Sequence, residues 1–381
     1  MLRGNPSTAS EQAGWALAVV VLGAVATLML LPLVRPAIDW DARATWFQHA
    51  RWFYGGGEFV QRAIGNAAHG YNRDYPPLVP ATVASFWRSG AGVDHRSGQI
   101  LVGILNASAV VVAALAIPRT FRLARLGPAS LLMSAAWVVA AFGIAKEFGT
   151  DGYADLLWAA AATGAVLYLL VAPIESTNGS IGVVLLLVSA LTKNDAIAPA
   201  LVVAVLAALR YRALLRRTPW VPALSPLLVV WPLLARRFGA DPLYEPGAVF
   251  DLLRGDSSVW NRLEPTLRAM RPLLLWPAAV AIFVAIVGTV ALSDERRGLA
   301  LGGCWRLWAV WVVACISLVA AYLVSGLTLV DHLGSSIDRT TMAAQLLLLT
   351  EIAVWSLVAM AALAARSRSG TAPEPPPRDA A

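Results

Sequence analysis

The run Trp15–Val34, WALAVVVLGAVATLMLLPLV, carries no charged residue over about twenty positions. At about 1.5 Å rise per residue, a helix of that length crosses the roughly 30 Å hydrocarbon layer of a bilayer. The run is longer than a signal-peptide core and has no convincing small-residue cleavage site. Met1–Gln12 is too short and mixed for a transit peptide, so the run reads as a mature span. Two carboxylates follow it, in Asp39-Trp40-Asp41-Ala42-Arg43-Ala44-Thr45-Trp46.

The remaining sequence extends the same pattern. Of 381 residues, 58% are hydrophobic and only 14% charged, against about 25% charged in an average soluble domain. Apolar stretches recur near 99–117, 129–145, 156–172, 180–192, 196–209, 219–235, 272–292, 304–325 and 341–365. The composition predicts an all-α integral membrane protein with about ten transmembrane helices. Residues 1–14 form a short N-terminal segment, 15–365 the membrane domain, and 366–381 a Pro-rich tail expected to be disordered. The two cysteines, Cys304 and Cys315, share one apolar segment and suggest neither a disulfide framework nor a zinc site. No nucleic-acid motif accompanies the net charge of +7. No internal repeat is evident, which weighs against inverted-repeat transporter folds.

Arginines punctuate the spans at Arg119/Arg122/Arg125, Arg210/Arg212/Arg216/Arg217, Arg296/Arg297 and Arg366/Arg368. The positive-inside rule places these four clusters in the cytoplasm, together with the N-terminus. Parity then holds if 78–88, which begins after Pro76-Pro77, is an interfacial or re-entrant helix. The short runs 180–192 and 196–209 read as a hairpin with Lys193-Asn194-Asp195 at its tip, held inside protein.

This topology collects the unusual polar groups on the non-cytoplasmic side. They are Asp39 and Asp41; Asp74-Tyr75-Pro76-Pro77; Lys146, Glu147, Asp151 and Asp155; Lys193-Asn194-Asp195; and His332, Asp338 and Arg339. Ionisable groups at membrane depth are costly, which makes such a set a functional candidate. Asp41 precedes an amphipathic helical pattern of Trp46, Phe47, Ala50 and Phe53, expected on the outer membrane surface. It can cap that helix or act as a general base. Asp155 opens the next span as a dipole partner or a site residue. Lys193 offers a point charge for phosphate. His332 and Arg339 share a face if their segment is helical, and can join it. No Gly-rich phosphate loop, HExxH or GxSxG motif is present.

Five motifs in order carry a resemblance. They are Trp40-Asp41-Ala42 with Trp46, Asp74-Tyr75-Pro76-Pro77, Tyr153-Ala154-Asp155, Thr192-Lys193-Asn194-Asp195, and His332-Leu333 with Ser336 and Asp338-Arg339. From about residue 15 to 350 the chain resembles bacterial multispanning glycosyltransferases of the type C superfamily. These are relatives of the dolichyl-phosphate-mannose protein mannosyltransferases and the aminoarabinose transferase. The resemblance implies a type C architecture with an interfacial helix in the first external loop. It also implies a polyprenyl-phosphate-linked sugar donor and an envelope glycan, lipid or protein acceptor outside the bacterial inner membrane.

The resemblance further implies a catalytic acid in the first external loop, which falls on Asp41 with Asp39 the next choice. Lys193, Arg339 and His332 would then serve the donor phosphate, and Asp155, Asp195, Asn194, Tyr75 and Asp74 would position sugar or acceptor. A divalent metal between carboxylates and phosphate is compatible, without a defined ligand set. Where the family often reads Lys-Asn-Glu-Gly, this chain has Lys193-Asn194-Asp195-Ala196, with a shorter acid and no glycine. Two alternatives stay open: a transporter or lipid flippase lined by these groups, and a non-catalytic membrane scaffold.

Overall fold

The computed structural model describes residues 9–34, 38, 42–66, 68, 72–122, 127–215, 226–240, 250–251, 253–292 and 294–369. Every regular element among them is helical. Seven helical segments are long and apolar enough to cross a membrane, from Gln12–Met29 to Leu329–Leu363. The chain is therefore an all-α, multi-pass membrane protein.

In chain order the main helices are α1 (Ala9–Met29), α2 (Gln48–Gly55), α3 (Gly57–Gly65), α4 (Leu78–Phe86), α5 (His95–Ala116) and α6 (Pro128–Ala145). They continue as α7 (Asp155–Val166), α8 (Ser176–Thr192), α9 (Ile197–Leu215) and α10 (Leu227–Arg237). The last four are α11 (Leu263–Ala291), α12 (Asp294–Leu323), α13 (Leu329–Thr340) and α14 (Met342–Ser369).

Ten spans were expected, and the difference is local. Asp155–Val171 and Ser176–Thr192 are apolar but shorter than a full crossing. The expected span 219–235 appears among the described residues only as the eleven-residue α10, which carries Pro232 in its interior. Residues 219–225 of that expected span lie outside the described residues. Residues 370–381 of the expected tail lie outside the described residues, whereas 366–369 still belong to α14.

α7 is the centre of the bundle. Every residue from Asp155 to Ala172 except the half-buried Ala162 is buried, so its length need not match the bilayer; it is solvated by other helices. Its Ala-rich sequence and its neighbours' glycines permit close approach. A Cβ on Gly164 would lie 2.8 Å from Leu185 Cδ1 and 3.3 Å from Ala113 Cα; one on Gly182 would lie 2.5 Å from Leu169 Cγ.

The hairpin expected at 180–209 is present. Gly179 at the start of α8 lies beside Tyr211 near the end of α9, and Tyr211 Oη donates to Tyr168 O at 3.4 Å. The two helices thus run antiparallel, with Lys193-Asn194-Asp195 at their tip.

The end of the bundle opposite that tip is arginine-rich. Arg210 donates to Leu169 O at 2.7 Å and Ala172 O at 2.6 Å, and Arg306 donates to Leu170 O at 3.0 Å. These arginines satisfy the last carbonyls of the α7 segment and complement the negative end of its dipole. Arg119 lies 4.2 Å from the Trp15 ring centroid and donates to Asn178 Oδ1 at 3.1 Å. Arg125, Arg216 and Arg217 lie outside the described residues.

The amphipathic pattern after Asp41 does form helix, as a π-helical turn over Ala42–Phe47 leading into α2. Its apolar face, however, packs on protein: Trp46, Phe47 and Ala50 are buried in one cluster with Val79 and Val83 of α4, and Phe53 is half-buried beside Trp231. A period of apolar residues marks a buried face without specifying whether lipid or protein covers it. His49 is buried in the same layer, its ring stacked on Trp52 with centroids 4.1 Å apart. Burial pulls its pKa down to about 3, so this histidine is neutral at physiological pH.

Candidate functional site

Residue Lys193 interrupts α8 and α9 with extended backbone (φ −149°, ψ 142°), and a 3-10 turn over Asn194–Ala196 restarts the helix. The break turns the lysine side chain inward. Its ammonium lies 2.6 Å from Asp155 Oδ1 and 3.2 Å from Asp195 Oδ2, and both the lysine and Asp155 are almost fully buried. Burial alone would favour the neutral amine, but the two carboxylates outweigh it and raise the pKa above the ordinary lysine value. Tyr75 and Arg339 lie within electrostatic reach of the same ammonium. Asp155 also sits in the first turn of α7, where the helix dipole favours a negative charge. The dipole and site readings of Asp155 therefore describe one arrangement.

The second residue of the tip reaches the first extramembrane segment. Asn194 Nδ2 donates to Asp74 Oδ2 at 2.9 Å and Asp74 O at 3.3 Å, and Trp231 Nε1 donates to Asp74 O at 2.9 Å. Tyr75 packs on Trp46 with ring centroids 5.4 Å apart. Asp74, Tyr75 and Asn194 thus form one wall with the Asp155–Lys193–Asp195 triad.

The Asp74 carboxyl gives the site a pH dependence. Burial, aided by the nearby Asp195 charge, pushes its pKa up to about 6, against opposing hydrogen bonds and Arg73. With the folded value above the unfolded one, its contribution to stability is full below about pH 4 and is lost as pH rises through about 6. Wild-type protein should therefore lose stability relative to Asp74→Asn across that window. Thermal unfolding of both proteins at several pH values checks this, and parallel curves would refute it.

α13 supplies the opposite wall. Its twelve helical residues place His332 and Arg339 two turns apart, as the spacing requires. The Arg339 guanidinium carbon lies 4.9 Å from the Tyr153 ring centroid and 5.7 Å from that of Phe148. Its Nη2 donates to Ser335 O at 2.9 Å. His332 is buried against Tyr322, with centroids 4.5 Å apart. Tyr322 Oη in turn exchanges 2.8 Å hydrogen bonds with Ser336 and Thr340. Asp338 instead pairs with Lys146 at 3.2 Å on the exposed rim.

A cavity of about 340 Å³ adjoins this cluster. Asn194, Asp195, Ser317 and Thr340 give it polar edges, and Trp158, Ala198, Pro199 and Ala314 contribute apolar wall. It is lined from α7, α9, α12 and α14, so it leads from the polar end into the helix bundle.

Of the ten residues given catalytic, phosphate-binding or positioning roles, eight are thus placed around one centre. Asp39 and Asp41 lie outside the described residues. Ala42, the neighbour of Asp41, is buried, and a Cβ on Gly152 would stand 3.2 Å from its Cβ. Gly152 has φ +91° and Phe47 ring carbons 3.0–3.1 Å from that same position, so the turn before Asp155 requires glycine.

Among the described residues, no three His, Cys, Asp or Glu side chains converge as metal ligands.

Sequence reading missed Arg73, Trp231 and Tyr322, which hold the wall residues in place, and it missed Glu351. That carboxyl is 2% exposed within α14, beside the Cys304 thiol and Trp355 indole. It is the only charged residue in 341–365, a signal that was available. No protein-family model, curated protein or solved structure matches the chain.

Proposed function

We propose that this protein is an inverting membrane glycosyltransferase that moves a sugar from a polyprenyl-phosphate donor to an envelope acceptor. The observation that supports it most is the convergence of four separated motifs on the Asp155–Lys193–Asp195 triad, beside a cavity leading into the bundle. The arginines at the opposite end favour a cytoplasmic placement for that end, by the positive-inside rule. The site then faces the non-cytoplasmic side of a bacterial inner membrane, with the N-terminus inside.

In this reading Asp41, with Asp39 as the alternative, takes the proton from an acceptor hydroxyl. The hydroxyl oxygen attacks the anomeric carbon from the face opposite the phosphate. The carbon–oxygen bond to phosphate breaks, and polyprenyl phosphate departs with the electron pair. Arg339 meets the charge that grows on the leaving phosphate, with His332 beside it. Lys193 already answers two carboxylates, so it acts mainly by fixing Asp155 and Asp195 and tempering their charge toward the donor. Asp155, Asp195, Asn194, Asp74 and Tyr75 orient sugar and acceptor. The lipid chain follows the apolar wall of Ala198, Pro199 and Ala314.

The first test is Asp41→Asn in purified, reconstituted protein supplied with labelled polyprenyl-phosphate sugars. Loss of a general base lowers transfer by about 10²–10⁴. Undiminished transfer would remove Asp41 from its role. Passage of intact donor across proteoliposomes, with no sugar transferred, would favour a transporter or flippase.

A further inference from the structure

A second cavity lies away from the polar cluster, between α11 and α12. An apolar groove of about 550 Å³ runs between these helices. Leu263, Met270 and Leu274 line it from α11, and Trp311, Ile316 and Val319 line it from α12. Trp260, 44% exposed, stands at one end, and the exposed Arg271 is among the lining residues of an otherwise apolar wall.

Arg271 is a cation without a protein partner among the described residues. The only acid on α11 is Glu264, and that carboxylate is engaged by Arg268 one turn away. Across the groove, α12 carries no charge from Leu307 to Leu323. Arg271 immediately precedes the uncharged run 272–292, where an unpaired arginine at the membrane edge calls for an anion. About 10 Å of helix separates Arg271 from Ala278 at the deeper end of the groove, at 1.5 Å per residue.

We propose that this groove seats an anionic glycerophospholipid, its phosphate on Arg271 and its acyl chains between α11 and α12. Trp260 is suited to the headgroup level, where indole rings collect. The groove and the candidate catalytic cavity line largely different faces of α12 and meet only at Ala320, and Arg271 is not among the cations that act on Lys193 or His332. The inference does not depend on the proposed transfer reaction.

Reconstitution of the full chain in phosphatidylcholine vesicles doped with phosphatidylglycerol, followed by native mass spectrometry of retained lipid, tests it. Wild-type protein should retain phosphatidylglycerol over phosphatidylcholine by roughly fivefold, as one basic residue near an anionic headgroup implies. Arg271→Gln should abolish the preference, and Arg268→Gln should keep it. Ala278→Trp, which fills the groove, should reduce retention of both lipids while the protein stays folded. Equal retention by wild type, or a preference that survives Arg271→Gln, would overturn the proposal. So would stoichiometric displacement by added polyprenyl phosphate, which would assign the groove to the donor.

Discussion

Replacing Lys193 with methionine should lower the stability of the folded protein by about 3–5 kcal/mol, the range seen when one member of a buried ion pair is removed. The reason is what the substitution leaves behind. Asp155 is 1% exposed and its carboxylate lies 2.6 Å from the lysine ammonium; Asp195 lies 3.2 Å from it. Methionine fills similar volume but takes from two neighbouring acids the cation in direct contact with both, in a low-dielectric setting, leaving Arg339 to act on Asp155. The cost belongs to those stranded carboxylates rather than to the lysine itself. The triple change Asp155→Asn, Lys193→Met and Asp195→Asn should therefore be less destabilising than Lys193→Met alone. Thermal or denaturant unfolding in one fixed detergent checks both statements. A harmless Lys193→Met would mean that the triad is not the electrostatic centre of the site.

Arg339→Gln should leave the fold largely intact and lower sugar transfer by about 10²–10³, as for removal of a group that stabilises developing charge. Arg339 is half-buried on the last turn of α13, above Tyr153 and Phe148. Those rings hold a planar guanidinium through its face, leaving its edge for hydrogen bonding. Arg339→Lys keeps the charge but not the planar fork, so it should recover only part of the lost rate. Single-turnover kinetics separate the effect on the chemical step from donor binding. Equal loss in Arg339→Lys and Arg339→Gln would point to packing on Tyr153 as the main role. Full activity in Arg339→Gln would remove the residue from the mechanism.

Much of this arrangement was legible in the sequence because charge is conspicuous in a chain that is mostly hydrocarbon. Two short apolar runs separated by Lys193-Asn194-Asp195 implied a hairpin, and Gly179 beside Tyr211 bears that out. The seven-residue interval from His332 to Arg339 implied one helix face, and α13 supplies it. Pairwise chemistry was less accessible. Lys193 read as a cation open to phosphate, since spacing cannot reveal that Asp155, 38 residues earlier, engages it. The helix after Ala42 read as lying on lipid, because amphipathic periodicity is blind to what covers a face. Trp231 gave no signal, although its indole anchors the Asp74 carbonyl across 157 positions. Glu351 stands alone in an apolar run, and a single acid within a span names no partner until Cys304 and Trp355 are placed beside it.

Product analysis is the decisive measurement for sugar transfer at the polar end. Purified protein is offered a panel of polyprenyl-phosphate sugars together with envelope acceptors, and the new linkage is characterised by mass spectrometry and NMR. The account predicts a glycosylated acceptor with inverted anomeric configuration, released polyprenyl phosphate, and loss of both products in Asp41→Asn. A product that retains the donor's configuration, or donor recovered intact with every acceptor, would contradict it.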